Sequence, residues 1–545
     1  MQIRHNGIQL VTHRHSSYNT NLFMPSLNNY ASYLISVFSE QKNIASSKEG
    51  IRVNPIVSEL ASWYEKIRNA MDYRDDEVVL RAAIERILKR RHFYGGKGVT
   101  IAAPLLRELT WARYFPDGSI TDLSVKEVEE IIDLYLNLRN GIRKTHKFNE
   151  KDLNTLIYHL ISSHLMYYLN PDKKRDTIAH FVFHVMKNCI QLEDDPESTR
   201  DIQVFIATRK SFARDDLALI HYHLFTQYFG ELTTATLDTI IQNFPEGYAE
   251  IQKQLSYPLR HKILSYVKRS MPSFFVLEEI LLRNQTELSK ILADTTLLEN
   301  EITQVCEEKY MAIKSKVKRA VIRSLIFLVM TKTVVALSIE GTFESIVYGE
   351  IMWQNIILNI VIPPILLAIA ATVIKTPGAE NTQSIIKKIN RLLFDDTPLP
   401  VRVISLQRIS KTKKSVLYPI FSILWVGAFF ASFGLVISFL NLIQFNIISQ
   451  GIFVFFLAVV AFLIYRIYQT AHTYSVYRKQ TLITPLIDFL FLPIARVGRY
   501  ITEGVSQVNV FLVILDLLIE APFKGLFSFF EQWFVFLHAK RDYLD

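Results

Sequence analysis

The 545-residue chain contains very little cysteine, and what it lacks excludes several classes of protein. Its two cysteines, Cys189 and Cys306, lie far apart, which excludes a disulfide framework and a cysteine-based zinc site. The chain also lacks a zinc-protease HExxH motif, a phosphate-binding P-loop, a dinucleotide-binding glycine motif and a nucleophile elbow. Because no catalytic constellation is recognisable, the sequence favours a protein that is not an enzyme, and it predicts no cofactor.

Charged residues are scarce in the C-terminal part of the chain. They make up 21% overall, below the usual ~25%, and most of them precede residue 320. The net charge of +9 does not indicate a nucleic-acid partner, because no basic stripe is interleaved with aromatic residues. Lys and Arg instead flank apolar segments, where each adds about 1 kcal/mol of attraction to anionic lipid head groups. The predicted partners are therefore the lipid bilayer and anionic lipid head groups.

Four long apolar segments follow residue 320, and each approaches the roughly 20 residues that a helix needs to cross a bilayer. They cover residues 321–339, 355–374, 416–440 and 451–469. The sequence therefore predicts an all-α protein, with a helical cytoplasmic domain, a four-span transmembrane bundle over 321–469 and a C-terminal interfacial helical tail.

Basic residues predict the orientation of these spans. Lys and Arg cluster at 314–319 and at 375–414, whereas the segment after the first span carries Glu340, Glu344 and Glu350 and no basic residue. Because cytoplasmic loops carry the excess of Lys and Arg, both termini are predicted to be cytoplasmic, at the plasma membrane. An organellar inner membrane is the alternative, since the first acidic residue is Glu40 and such a start also suits a transit peptide.

The chain before the first span has the pattern of soluble helices. Residues 1–51 are predicted to form a disordered or loosely helical arm, and residues 52–270 a helical domain. Within that domain Ser124 and Glu127 resemble a capping box, and Asn140-Gly141 resembles a helix stop.

Residues 271–320 are predicted to form a long helical neck, because apolar residues there recur at heptad spacing. Two interpretations stay open: a coiled coil that pairs subunits, or a helix packed on its own domain. The heptad residues are Leu277, Leu281, Leu288, Ile291, Leu298, Ile302 and Val305.

The tail over 470–545 is apolar with a narrow polar stripe. The segment from Leu482 to Ala495 holds two prolines and is short for a span. The stripe further on favours a helix sunk in the inner leaflet, with the stripe facing water. The alternatives are a helix packed in the bundle, or a fifth span that would bury Asp516 and Glu520.

Lys332 is the first candidate functional residue, because it lies near the middle of the first span. Ionisable residues at that depth usually mark a functional site. Lys332 can bind an anion, or pair with Asp488, Asp516 or Glu520 if the tail folds back. The alternative is a lysine that extends along a tilted helix to the membrane surface.

Pro363-Pro364 is the second candidate, with Asn359 one turn before it. Proline removes helical hydrogen bonds, and broken helices at membrane depth line ion or substrate sites in transporters. The alternative is a structural kink that neighbouring helices seal.

Asp176, His180 and His184 are the weak metal-site candidates. They recur at one-turn spacing, which can hold a metal ion, but they point away from the apolar face of their helix. A solvated face is the other interpretation. Asp215, Asp216, His221 and His223 form a second loose cluster.

These features predict a multi-pass membrane protein whose cytoplasmic helical domain recruits or organises protein partners at the membrane face. One alternative is an oligomeric transporter or channel component that uses Lys332 and the Pro363-Pro364 break. A second alternative is a metal-dependent enzyme in the soluble domain. Homo-oligomers are compatible with all three.

Overall fold

The computed structural model describes residues 27–39, 50–51, 53–72, 78–93, 96–193, 195–395, 400–404, 417–476 and 484–507, and single positions between 525 and 537. Within these residues the chain is almost entirely helical, which confirms the all-α prediction. The elements upstream of the apolar segments are α1 Asn29–Ser39, α2 Pro55–Asp72, α3 Val79–Phe93, α4 Gly98–Trp111, α5 Asp122–Thr145, α6 Glu150–Leu169, α7 Lys173–Asn188, β1 Ile190–Leu192, α8 Glu197–Thr208, a π-helix Arg209–Ala213, α9 Leu217–Phe229, α10 Leu237–Leu255, α11 Arg260–Arg283 and α12 Leu288–Ala293.

The remaining elements contain the apolar segments. They are α13 Thr295–Val335, a π-helix Ala336–Gly341, α14 Thr342–Val347, α15 Trp353–Val373, α16 Ala379–Phe394, β2 Arg402–Ile404, α17 Leu417–Leu442, α18 Ile447–Ala471 and α19 Thr484–Gln507. Four helical stretches are long and apolar enough to cross a membrane: Thr295–Val347, Trp353–Val373, Pro419–Leu442 and Ile447–Ala471. All four predicted segments are thus helical and compatible with membrane insertion.

Helix α5 begins and ends differently from the prediction. Its N-cap is Thr121, whose hydroxyl accepts a hydrogen bond from the backbone N–H of Ser124 at 3.3 Å, so Ser124 is inside the helix. The helix also continues past Gly141, where a Cβ would lie 2.3 Å from Cδ1 of Ile241 in α10. Gly141 thus lies in close contact with the end of the Ile241 side chain and does not end the helix.

The described residues of 27–320, with α16 and β2, are called the soluble part, after the sequence prediction, and they have two hydrophobic cores. The first is formed mainly by α3–α6, α9 and α10, and the second by α1, α7 and α11–α13 together with α16. Helix α1 buries Ala31, Leu34 and Phe38 in the second core. The side-chain amide of Asn28 also donates to the backbone carbonyl of Leu392 at 2.9 Å. Residues 27–39 are therefore an integral part of the fold and not a loose arm.

The predicted single neck helix is wrong. The chain leaves α11 at Arg283 and starts α13 only at Thr295, where the Asp294 carboxylate caps the helix by accepting from the N–H of Thr296 at 2.8 Å. All seven heptad residues are buried in the second core. Their periodicity therefore reflects α11, α12 and α13 packing on their own domain, the alternative to a coiled coil. Helix α13 does continue unbroken into the first apolar segment.

The segment between the second and third apolar helices returns to the soluble part. Helix α16 buries Ile385, Ile389 and Leu393 in the second core. Strand β2 pairs in parallel with β1, with Ile190 opposite Arg402 and Leu192 opposite Ile404. The chain therefore leaves the second core through α13 and returns to it through α16.

The described residues of the C-terminal tail pack on other helices, whereas the predicted polar stripe lies mostly outside the described residues. Helix α19 continues through Pro493 for 24 residues and packs against α17 and α18. Further on, Phe530 packs against Val57 and Trp111 of the soluble part.

Asn381 of α16 joins α13 to the segment that follows α18, which leads to a stability prediction. Its amide donates to the Tyr310 hydroxyl and to the backbone carbonyl of Tyr474, both at 2.7 Å, and its oxygen accepts from Val476 N–H at 2.8 Å. We expect Asn381→Ala to lower the free energy of unfolding by about 1–3 kcal/mol, because it removes three hydrogen bonds between partly buried groups. Thermal unfolding of the purified protein in detergent measures this. Gln383→Ala, on the exposed side of α16, is the matched control, and equal losses in both variants would contradict the role of Asn381.

Candidate functional site

A column of polar side chains lies inside the bundle of apolar helices. Lys332, Glu340, Glu344, Asn359 and Ser449 are all fully buried. They come from α13, the π-helix Ala336–Gly341, α14, α15 and α18. The structure therefore brings together Lys332 and Asn359, the two polar candidates from the first two spans.

The π-helix places the acidic residues on the same face as Lys332. In a regular α-helix the twelve residues from Lys332 to Glu344 turn through about 1,200°, which leaves Glu344 about 120° away from Lys332. A π-turn inserts one extra residue and so rotates the following helix back by about 100°. Every fourth residue is buried as a result: Leu328, Lys332, Ala336, Glu340 and Glu344.

Lys332 lies against aromatic rings. Its Nζ is 5.0 Å from the ring centroid of Phe453 and 5.4 Å from that of Phe456, both in α18. These are cation–π distances. Nζ has no hydrogen-bond partner among the described residues. Because the side chain is fully buried, Lys332 does not extend to the membrane surface, which is the alternative that the sequence left open.

The three carboxylates of the tail that could pair with Lys332 lie outside the described side chains. Asp488 belongs to α19, but its side chain is outside the described part of the structure, and Asp516 and Glu520 lie outside the described residues altogether.

One amide group ties three helical segments together at the centre of the column. Asn359 Nδ2 donates to Glu340 Oε2 at 2.9 Å and to the backbone carbonyl of Ser449 at 3.2 Å. Glu340 Oε1, Asn359 Oδ1 and Ser449 Oγ make no hydrogen bond of ordinary geometry in the described part of the chain, and the Ser449 hydroxyl lies near the Glu340 carboxyl group. Buried polar atoms in native proteins are normally satisfied, often by water. The column is therefore chemically suited to hold water or an ion.

Glu344 is held at the end of the column by two helix N-termini. Its carboxylate accepts from the N–H of Met352 and from Nδ2 of Asn446, each at 2.8 Å. Met352 and Asn446 are the N-caps of α15 and α18. Helix N-termini favour negative charge, which stabilises this carboxylate. Because both of its oxygens are hydrogen-bonded, Glu344 joins the N-termini of α15 and α18.

Helix α15 is continuous through Pro363 and Pro364, so the predicted helix break is wrong. Both prolines are buried in the bundle. Since proline has no N–H, the carbonyls of Asn359 and Ile360 still lose their helical donors. The carbonyl of Asn359, which loses its i+4 donor to Pro363, lies at the same position along α15 as the polar column.

Glu340 and Glu344 are the functional candidates that sequence reasoning missed. The sequence places both in the loop after the first apolar segment, but the helix continues to Val347 and buries both. They follow Lys332 by eight and twelve residues, a spacing that predicts a common face only if a π-turn is assumed. The loop that remains, 348–352, contains Glu350 and no basic residue, so the charge asymmetry persists.

Asp176, His180 and His184, the first metal-site candidate, do not form a metal-binding cluster in the described structure. Asp176 Oδ1 accepts from Arg209 Nη1 at 2.8 Å, and the His184 ring stacks on Tyr30 with centroids 5.1 Å apart. Among the residues that the structure describes, no group of three or more His, Cys, Asp or Glu is placed to bind a metal ion. His180 therefore lacks the co-ligands that the metal interpretation requires.

The second cluster separates into different contacts. Asp215 bonds Arg209 Nε at 2.6 Å, whereas its neighbour Asp216 pairs with Arg81 Nη2 at 2.6 Å. His223 contacts Asp215 at 3.2 Å, and His221 faces His159 with the two Nδ1 atoms 3.0 Å apart. Two adjacent carboxylates thus neutralise two buried arginines, and the network holds α3, α6 and α9 together.

The buried side chain of His221 leads to a prediction about how the stability of the fold depends on pH. Burial, with smaller contributions from the charges of His159 and Lys210, lowers the pKa of His221 from 6.5 to about 4. The unfolded chain takes up this proton below pH 6.5 and the folded chain only below about 4, so stability is complete above pH 6.5 and falls as the pH drops between these values. We expect His221→Phe to reduce that acid-induced loss by up to about 3 kcal/mol.

Thermal unfolding of the full-length protein between pH 7 and pH 4 checks this expectation. His261→Phe, an exposed site at the start of α11, is the control. Identical pH profiles for wild type and His221→Phe would contradict the prediction.

The hydrogen bonds of Asn359 in the polar column lead to a stability prediction. Asn359→Leu removes the donor to the buried Glu340 carboxylate, and we expect a loss of about 1–3 kcal/mol in the free energy of unfolding. Gln354→Leu is the control, because Gln354 is an exposed amide in the same helix. The measurement is thermal unfolding in detergent, and the prediction is wrong if both variants unfold at the same temperature.

No protein-family model, curated protein or solved structure matches this chain. Its function must therefore be inferred from its own residues and their geometry.

Proposed function

We propose that the protein moves protons across the membrane and that Lys332 and Glu340 carry them. One observation supports this most directly: an amine and a carboxyl group are fully buried in the same bundle of apolar helices, and Lys332 Nζ and Glu340 Oε1 lack partners among the described residues. Intramembrane ionisable residues typically belong to ion pathways or proton relays.

A purely structural anchor has no use for this arrangement. A lysine at the centre of a spanning helix costs about 2.5–3.5 kcal/mol on insertion scales. Replacing buried ionic groups with apolar residues of similar size is often neutral or stabilising. The retained charge therefore favours a role in transport over one in anchoring.

Each member of the column has a distinct role in the proposal. Asn359 binds Oε2 of Glu340 and so orients the carboxyl group, which leaves Oε1 available to exchange a proton. Lys332 is the second exchanging group. Glu344, fixed by two helix N-termini, attracts protons to the end of the column. From Lys332 to Glu344 the helix rises roughly 18 Å, more than half of the ~30 Å hydrocarbon core.

The proposed membrane placement follows the basic flanks and the fold. We propose that α13, α15, α17 and α18 cross the plasma membrane, and that the soluble part, α16 and both termini are cytoplasmic. The packing of α16 on the second core and of Phe530 on Trp111 supports a common side for these parts. Because four spans are few for a transporter, the proposal includes a homo-oligomer.

Partner recruitment by the soluble part is the second candidate function. It is favoured by an exposed apolar face on α2, where Ile56, Leu60 and Trp63 recur at helical spacing and Trp63 is 64% exposed. Exposed apolar patches mark interaction sites in soluble domains. Replacing Leu60 and Trp63 with Ser should abolish co-purification of a stoichiometric partner in mild detergent while proton flux continues. Unchanged co-purification would exclude this face.

Proton flux in liposomes tests the main proposal. We expect the reconstituted full-length protein to collapse a pH gradient, reported by an enclosed pH-sensitive dye, while valinomycin and potassium compensate the charge. Lys332→Leu and Glu340→Gln should reduce the rate to that of protein-free liposomes, because each removes a group that exchanges protons. Lys316→Leu is the matched control, since it makes the same change at an exposed site of α13.

Two results would contradict the proposal. The first is a wild-type rate equal to that of protein-free liposomes. The second is a Lys332→Leu variant that conducts at the wild-type rate. Unfolding temperatures measured in parallel separate loss of flux from loss of structure, and Lys332→Leu should be at least as stable as wild type.

A further inference from the structure

Three oxygen atoms at the centre of the polar column lack an ordinary hydrogen-bond partner. They are Glu340 Oε1, Asn359 Oδ1 and Ser449 Oγ, and within the described part of the chain none of them makes a hydrogen bond of ordinary geometry. All three residues are fully buried. Because a buried oxygen is costly to leave without a partner, this part of the column favours a bound group that interacts with several oxygens at once.

Hydrogen bonds hold these oxygens close together. Asn359 Nδ2 donates to Glu340 Oε2 at 2.9 Å and to the backbone carbonyl of Ser449 at 3.2 Å, so one amide group contacts both of the other residues. The Ser449 hydroxyl also lies near the Glu340 carboxyl group. The three residues belong to the π-helix Ala336–Gly341, α15 and α18, so the packing of three helical segments fixes their geometry.

The atoms that remain at this point are acceptors. The Asn359 amide has two donor hydrogens, and Nδ2 already has two acceptors, so Oδ1 can offer only its lone pairs. The backbone carbonyl of Asn359 adds a further oxygen without its helical donor, because residue 363 is proline. Hard cations take oxygen ligands, and freed helix carbonyls coordinate sodium in the membrane sites of transporters.

The charge around these oxygens favours a monovalent cation. Glu340 supplies one negative charge, whereas the carboxylate of Glu344 is already bonded at the N-termini of α15 and α18. Helix α15 has no charged residue, and the one charged residue of α18, Arg466, lies 17 positions after Ser449. One alkali ion therefore neutralises Glu340, but a divalent ion would leave an excess positive charge inside the apolar bundle, where it is costly.

We infer that Glu340, Asn359 and Ser449 bind a dehydrated sodium ion through these three side-chain oxygens. The ion then occupies the carboxyl group to which proton exchange is assigned, so the inference rests on the proposed role of the column as an ion path. Lys332 belongs to the same column, and its charge acts on Glu340. A bound sodium ion and a charged Lys332 therefore repel each other.

Binding of radioactive sodium to the purified full-length protein in detergent tests this inference. We expect saturable binding that unlabelled sodium displaces and that choline at the same ionic strength does not. Glu340→Gln should abolish this binding, because it removes the negative charge of the site. Lys332→Leu should bind sodium at least as tightly as wild type, because it removes the repelling charge, although the same variant should carry no protons.

Ser449→Ala leaves every charge in place and so guards against misfolding of the Glu340→Gln variant. It should bind sodium about tenfold more weakly than wild type, since a ligand oxygen contributes about as much as a hydrogen bond to a charged group. Ser438→Ala makes the same change at an exposed site of α17 and is the matched control, which should bind sodium as wild type does.

Absence of saturable sodium binding to wild type would overturn the inference, as would equal binding by Ser449→Ala and Ser438→Ala. Because proton flux in liposomes is measured separately, the two proposals can fail independently. Proton flux without sodium binding would remove the cation site and keep the proton pathway. Sodium binding without proton flux would keep the cation site and contradict the proposed function.

Discussion

The need to satisfy polar groups inside an apolar bundle is the constraint on which the rest of this structure depends. The amide of Asn359 meets it in part, because it binds Glu340 and the backbone of Ser449 and so fixes α15 and α18 relative to the π-helix. The π-turn also serves this constraint, because it rotates Glu340 and Glu344 onto the buried face that carries Lys332. This packing leaves two polar atoms without hydrogen-bond partners among the described residues, Lys332 Nζ and Glu340 Oε1. These two atoms are the basis for the proposed proton transfer.

The soluble part is connected to this bundle by rigid elements rather than by a linker. Helix α13 runs from the second core into the first apolar segment without a break, and α16 and β2 return from the bundle to the same core. Asn381 joins these parts through Tyr310 and Tyr474. Movement of α13 in the bundle would therefore be transmitted to the soluble part, which links the transport proposal to the recruitment proposal.

Apolar length correctly predicted four long apolar helices that are compatible with membrane insertion. Periodicity correctly indicated helices at 271–320, but it could not distinguish a coiled coil from a helix hairpin, since both bury every third or fourth residue. The continuous helix through Pro363-Pro364 and the burial of Glu340 depend on neighbouring helices. Propensity rules describe each segment alone, and so they predicted a break and a polar loop. Sequence spacing likewise could not show that Asp176 would pair with Arg209 instead of a metal ion.

The most direct test of the central claim is a cryo-EM map of the full-length protein in lipid nanodiscs at a resolution that shows ordered water. The structure predicts that Lys332 faces Phe453 and Phe456 inside the bundle, and that density for water or an ion lies beside Lys332 Nζ and Glu340 Oε1. A map in which Lys332 points to lipid head groups, or in which Glu340 lies in a solvent-exposed loop, would contradict the account.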